Sequence, residues 1–319
     1  MAVNLLFLGY WTLRWKRAAW ISLVAIALGW VPLQNLFQFP GFTAADDGGF
    51  KVMSYNVRVF DLYKWTENTK SRNAILGVLQ EEAPDVLCVQ EFFHTPVKNY
   101  FTTLDTIVQL IPARQVHTEY TKTVKQHYHF GIATFSRFPI VGKGKVDLGE
   151  SGNNVCIYSD LLVDSDTIRV YNMHLASIHF GQREYQFVEQ LGESQQEERL
   201  AGARNIYKLL EIAFKKRAHQ ADAIRAHLET SPHPVVVCGD FNDTPSSYAY
   251  RTIRQELSDA FCESGSGFGQ TYNGQLPFLR IDYLLHDPAL RSHSFRTVEK
   301  TFSDHYAITS RIVPPSDLE

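Results

Sequence analysis

The sequence predicts a mixed α/β domain of layered strands and flanking helices, preceded by an apolar N-terminal segment. Three observations carry that reading. From Phe50 onward, short runs rich in β-branched and aromatic residues alternate with polar helical stretches. Three of those runs, FGIATFSRFPIVG, NVCIYSDLLV and TIRVYNMHL, have only turn signals between them, which predicts neighbouring antiparallel strands. Ahead of them, Ala18 to Ala45 contains no charged residue.

Taken in order, residues 1–17 are an apolar and basic flank, and 18–39 have roughly the length of a membrane-crossing helix. A secretory signal ending near Thr43-Ala44-Ala45 and a buried helix are the competing readings of 18–39. Arg14, Lys16 and Arg17 precede the run, so the positive-inside bias predicts a single-pass anchor with the bulk of the chain on the non-cytoplasmic side. Residues 40–49, PGFTAADDGG, read as a short linker and 50–313 as the catalytic domain, with a frayed tail at 314–319.

Within the domain, FKVMSYNV is a strand. NTKSRNAILGVLQEEA is a helix with Asn68 as N-cap and Ala74, Ile75, Val78 and Leu79 on its apolar face. DVLCVQEF is a buried strand, and Gln182 to Thr230 is polar and helical with a basic cluster at Lys215, Lys216 and Arg217. PVVVCGDFNDTP is strand then loop, RIDYLLHD opens a strand, and a last strand begins near His305.

Composition excludes several classes. With 45% hydrophobic and 20% charged residues, 19 Gly and 13 Pro, a disordered or collagen-like chain is ruled out. A net charge of −3 supplies no global field for a polyanion, which weakens a purely electrostatic DNA-binding role. Cys88, Cys156, Cys238 and Cys262 form no CxxC, so neither a structural zinc site nor a disulfide scaffold is indicated; Cys88 and Cys238 read as small core residues.

The polar residues that stand out fall at strand ends: Asn56, Glu91, His174, Asp240, Asn242, Asp282, Asp304 and His305. Singly each is more naturally a turn-former or cap; together, in packed strands, their ends converge on one edge and aim into a common pocket. Glu91, Asn56 and Asp304 are hard oxygen donors, which suit Mg²⁺ or Mn²⁺ rather than zinc and leave coordination positions for a phosphate oxygen. His305 with Asp282 is a base with a carboxylate partner.

MSYNVR, LCVQEF, GIATFSRFPI, YNMHL, VCGDFNDTP, RIDYLL and FSDHY occur in an order that resembles the endonuclease/exonuclease/phosphatase superfamily over about Phe50 to Ile312. HQADAIRAHL and SGSGFGQTYNG, either side of the GDFND block, are similar to membrane-attached members of Bacteroidetes-type bacteria. The resemblance implies a DNase I-like four-layered α/β sandwich, two packed sheets flanked by helices, with one divalent-metal site at the strand ends. It implies Glu91 as main metal ligand with Asn56 and Asp304 near the ion. His305 is the general base or phosphate-contacting histidine, oriented by Asp282. Asp240 and Asn242 position the attacking water and scissile phosphate or a second ion, and His174 stabilises or protonates transition-state oxygens. The implied reaction is in-line attack of water on phosphorus without a covalent enzyme intermediate. The substrate-pocket tyrosine of apurinic endonucleases has Tyr128 or His129 as its nearest counterpart in HYHFGIATF, which argues against abasic-site repair.

The substrate is then a phosphate ester, either nucleic acid or a phospholipid or sphingolipid headgroup, or a small phosphate ester. Arg199, Arg204, Lys208, Lys215, Lys216, Arg217 and Arg225 form a stripe that tracks a phosphate backbone, faces anionic lipid or is a solvated helix face, interleaved as it is with Glu197, Glu198 and Glu211. Phe92 and Phe93 flank the pocket or pack in the core. No obligate protein partner is evident. The competing class is a catalytically silent phosphate-binding or scaffold module at the membrane.

Overall fold

The computed structural model describes residues 2–39, 48–64, 70–98, 100–149, 152–178, 196–274 and 278–317. Two helices, α1 (Ala2–Leu13) and α2 (Ala19–Leu36), come first. Then follow β1 (Phe50–Asn56), α3 (Ser71–Glu82), β2 (Val86–His94), α4 (Thr103–Leu110), β3 (Gln115–Val124), β4 (Tyr128–Ser136), β5 (Ile140–Lys145), β6 (Val155–Val163) and β7 (Asp166–His174). After them come α5 (Gln196–Leu228), β8 (Val235–Asp240), α6 (Tyr248–Arg254), β9 (Ser258–Asp259), α7 (Ala260–Ser264), β10 (Asp282–His286), β11 (Arg291–Val298) and β12 (Ala307–Val313). The strands form two mixed sheets, ordered β11-β12-β1-β2-β4-β3 and β5-β6-β7-β8-β10-β9.

The period of two along each strand builds the layers. In β1 and β2, Met53, Tyr55, Leu87 and Val89 face outward and pack with Ile75, Val78 and Leu79 of α3. In β7 and β8, Tyr171, Met173, Val235 and Val237 face outward onto Ala221 and Ile224 of α5 and onto Tyr250 of α6. The opposite parity, Val52, Val86, Cys88, Val170, Val236 and Cys238, forms the core between the sheets. Helix, sheet, sheet, helix is therefore the layer order, and Cys88 and Cys238 are core residues, wholly buried and unbridged.

Several expectations are corrected. The strand expected over FGIATFSRFPIVG is two strands in different sheets: β4 ends at Ser136, and the chain crosses to β5 at Pro139, which has no N–H to continue a ladder. The Ser136 hydroxyl holds that crossing, accepting from Phe138 N at 3.0 Å and donating to Phe138 O at 2.9 Å. The cap expected at Asn68 and residues 182–195 of the long helix lie outside the described residues. Among the described residues, no helix is long and apolar enough to cross a membrane. The span expected over 18–39 therefore fails as drawn: α2 ends at Leu36, and its last turn engages the globular part, Gln34 O accepting from Cys262 Sγ and Asn35 Oδ1 from Arg254 Nη1.

Beneath the strand ends the sheets are joined by amide groups. Gln90 Nε2 donates to Asn172 Oδ1 at 2.8 Å and to Ser54 Oγ at 3.1 Å, while Asn172 Nδ2 donates to Ala133 O at 2.9 Å. All of these side chains are buried, so removing one member strands the others away from water. Asn172→Ala is expected to lower unfolding stability by about 2 kcal/mol in urea denaturation; a change below about 0.5 kcal/mol would mean that the network does not hold the sheets together.

Candidate active site

The inner row that builds the core ends in polar residues. His174 pairs in register with Asp240, and Asp240 with Asp282, so three neighbouring strands present His, Asp and Asp side by side. Gly239 makes that row feasible: at φ +147°, with a Cβ only 2.1 Å from Met173 O, the position admits glycine alone. Opposite, on the other sheet, Asn56 closes the inner row of β1 and donates its amide to Asp240 Oδ2 at 3.0 Å.

Glu91 arrives by a different device. Alternation along β2 sends Leu87 and Val89 to the helices, so Glu91 would follow them. The pairing of β2 with β4 slips between Val89 and Phe92, and Glu91 adopts φ 49°; this bulge turns its carboxylate to the site, where Oε1 accepts from Asn56 Nδ2 at 3.3 Å. His174 Nε2 stands 3.8 Å from Glu91 Oε1 and 3.6 Å from Asp240 Oδ2. Asn242, in a left-handed conformation, caps Asp240 from the loop: its N–H reaches Oδ1 at 2.8 Å and its Nδ2 reaches Oδ2 at 3.1 Å.

The last pieces come from the segment before β12. Ser303 Oγ donates to Asn56 O at 2.9 Å, which fixes Asp304 and His305 against β1. His305 Nδ1 meets Asp282 Oδ2 at 2.9 Å and its Nε2 lies 3.7 Å from Asp240 Oδ2. Asp304 is ion-paired with Arg58 at 3.2 Å, at the rim. Thr271 Oγ1 accepts from the N–H groups of Ile281 and Asp282 at 2.9 and 3.1 Å, and Tyr272 pairs with His305 as an isolated bridge. All eight residues expected from the sequence therefore meet at one edge; Thr271, Tyr272, Ser303 and Arg58 were missed, because ordinary polar residues in loops carry no pattern of their own.

Electrostatically the site is an acidic cluster with too few cations. Burial pushes the Asp282 carboxyl up to about 6; His305 opposes this and Asp240 reinforces it. Burial works against a charged His305, yet Asp282 and Asp240 outweigh it and hold the imidazole well above its ordinary range. Near neutral pH the pair is thus carboxylate and imidazolium. Asp282 Oδ1 is buried without a hydrogen-bond partner, and ligand atoms of Asp240, Asp282 and His305 lie within 4.8 Å of one another. An orphaned carboxylate oxygen among hard donors fits a divalent cation.

Beside this cluster opens a cleft of about 900 Å³ whose wall includes Glu91, His174, Tyr63, Tyr100, Tyr128 and Phe130, with Lys122, Lys125 and Lys216 on it. Phe92 and Phe93 serve both expected roles, buried in the core and lining the cleft. Tyr128 packs on Phe93, whereas His129 stacks on Tyr120. The basic stripe does not act as one unit: Arg217 is buried on Asp243 at 2.8 Å, Lys215 and Arg225 pair with Glu211 and Glu229, and Lys216 faces the cleft.

The model of the Endonuclease/Exonuclease/phosphatase family matches residues 53–305, a span that holds every residue of this cluster. The chain belongs to that family. A second model, a domain of unknown function (DUF8431), matches residues 1–36. Among solved structures, a family member from Bacteroides thetaiotaomicron is 16% identical with TM-score 0.60, covering 83% of this chain and 94% of its own. A mannosyl-6-phosphatase of the same organism is 16% identical with TM-score 0.57, covering 83% and 99%. The human Nocturnin catalytic domain, with bound sulfate, is 19% identical with TM-score 0.58, covering 85% and 96%. No curated protein matches the chain. The family fold is thus shared at low identity, with α1 and α2 ahead of the matched region.

The sign of the histidine shift gives a direct check. With its folded pKa raised above the unfolded value, His305 stabilises the fold fully below about pH 6.5, and that stabilisation is lost as pH rises through the folded pKa. In ring-nitrogen NMR His305 is expected to remain protonated at pH 7.5, and Asp282→Asn to bring its titration down to 6.5 or below; unchanged titration in the variant would contradict the pairing.

Proposed function

We propose that the protein is a divalent-metal-dependent hydrolase of phosphate esters that directs water in line onto phosphorus. The observation that carries the reading is the His174–Asp240–Asp282 row facing Asn56, Glu91 and His305 at one sandwich edge. Glu91 and Asn56, with Asp240 and Asp282 adjoining and Asp304 at the rim, would hold Mg²⁺ or Mn²⁺. When bound, the ion supplies positive charge to a phosphoryl oxygen. As an imidazolium held by Asp282, His305 serves as the phosphate-contacting group, donating from Nε2 to a non-bridging oxygen. Asp240, one residue from full burial and bonded by Asn56 and Asn242, accepts the proton of the attacking water. His174, with Nε2 between Glu91 and Asp240, donates to the oxygen of the leaving group.

The cleft narrows the ester. Aromatic walls beside three lysines fit a phosphate attached to a flat or apolar group, which a nucleotide and a lipid both offer. The neighbour named as a mannosyl-6-phosphatase keeps monoesters in the panel. Placement of the catalytic part outside the cytoplasm, from Arg14, Lys16 and Arg17, belongs to the same proposal; a periplasm-active reporter fused after Glu319 should be live, and a silent one reverses it.

The full chain is expected to hydrolyse bis(p-nitrophenyl) phosphate or p-nitrophenyl phosphate with Mg²⁺ or Mn²⁺, with chelator abolishing turnover. Glu91→Ala and His305→Ala should each lower kcat/KM by about 10²-fold or more. Wild type and both variants equally inactive across metals, plasmid DNA, phospholipid vesicles and sugar phosphates would favour the silent binding module instead.

A further inference from the structure

α1 and α2 pack against each other and carry no charged side chain. Their apolar residues point outward nearly all round: Leu6, Leu13, Trp20, Ile21 and Leu28 are each more than two-thirds exposed. A helix pair of that composition belongs in a protein core or in hydrocarbon. The base of the hairpin is tied to the catalytic domain. Asn35 O accepts from the buried Arg280 at 2.7 Å, Asn35 Oδ1 from Arg254 at 2.5 Å, and Gln38 and Gly267 exchange backbone hydrogen bonds of 2.9 and 2.8 Å.

At this junction four rings form a continuous patch. Phe37 lies 5.1 Å from both Phe39 and Phe268, and Phe268 lies 5.5 Å from Phe278. Phe39 is 79% exposed, Phe278 64% and Phe268 50%. Two of the rings come from the hairpin's exit and two from the catalytic domain, so the apolar surface runs across the boundary between them. An apolar patch of this kind on a folded chain marks a contact surface.

Charge decides the occupant. Arg14, Lys16 and Arg17 fill the turn between the helices, and no Asp or Glu occurs before Asp46. Such a surface complements anionic headgroups. At 1.5 Å per residue the helices are about 18 Å and about 27 Å long, against roughly 30 Å of hydrocarbon, so they suit one leaflet and its interface. We propose that the α1–α2 hairpin and the Phe37, Phe39, Phe268 and Phe278 cluster form one surface that docks into a bilayer bearing anionic lipid. The binding claim is independent of the catalytic reading. Its consequence rests on that reading: the segment from Gly267 to Phe278 also carries Thr271 and Tyr272, which contact Asp282 and His305, so docking sets the catalytic mouth at the headgroups.

The test is flotation of the full chain with phosphatidylcholine vesicles, with and without phosphatidylglycerol. Wild type should float with both and more tightly with the anionic mixture, with a blue shift of tryptophan emission from Trp15, Trp20 and Trp30. The exposed-residue variant Phe39→Ser/Phe268→Ser/Phe278→Ser should bind both vesicles roughly tenfold or more weakly. Arg14→Gln/Lys16→Gln/Arg17→Gln should lose the anionic preference. Wild type that stays unbound, or a phenylalanine variant that floats as wild type does, overturns the proposal. A lipid-free dimer dispersed by the same phenylalanine changes, without vesicle binding, would assign the surface to a second copy. Hydrolysis of a soluble diester by the same preparation separates the two readings, because its failure sinks the catalytic one and leaves docking untouched.

Discussion

Carboxylates crowded at the edge of two sheets repel one another, and the rest of the site is arranged around that repulsion. Asp240 and Asp282 are almost wholly buried, on adjacent strands in register, with Glu91 reaching in from the other sheet. Like charges at about 4 Å repel by about 4 kcal/mol at an effective dielectric near 20. The protein offsets this with the His305 imidazolium, with His174, and with the Asn56 amide standing between Glu91 and Asp240. Those donors leave Asp282 Oδ1 unanswered. A divalent cation is the chemical species that completes such a set, and it is also what phosphoryl chemistry requires.

The scaffold holds the charges by ordinary means. Strand parity delivers Asn56, His174, Asp240 and Asp282 to the inner face, because the same alternation lines up Val52, Val170, Val236 and Leu284 behind them. The amide network of Gln90 and Asn172 fixes the spacing of the sheets just below. Thr271 occupies the N–H groups before and at Asp282, and Ser303 ties the His305 segment to β1. Each is a local bond of modest energy; together they remove the freedom by which the carboxylates would move apart.

Much of this was legible in the sequence, for a physical reason: short β-branched runs ending in Asn, Glu, His or Asp declare both a strand and its terminus. The layer order, the membership of the site and the core role of Cys88 and Cys238 followed from such runs. What was not legible depends on departures from regularity. The bulge that turns Glu91 inward lies within an unbroken apolar run and has no glycine to announce it. The passage between sheets at Pro139 was hidden because the strands on either side are equally β-rich. α4, β3 and β11 were missed for want of clear periodicity, and the N-terminal run read as a crossing helix because hydropathy does not reveal that Gln34 and Asn35 are spent on Cys262, Arg254 and Arg280. The lysine stripe failed for the opposite reason: composition counts charges, while folding buries Arg217 and pairs its neighbours.

The central claim is that these carboxylates gather round a cation, and anomalous scattering from a crystal soaked in Mn²⁺ tests it most directly. The account predicts density bounded by Glu91, Asn56 and the Asp240–Asp282 pair, lost in a crystal of Glu91→Gln/Asp240→Asn. Density only at other carboxylates, or none while the site keeps its shape, would contradict it.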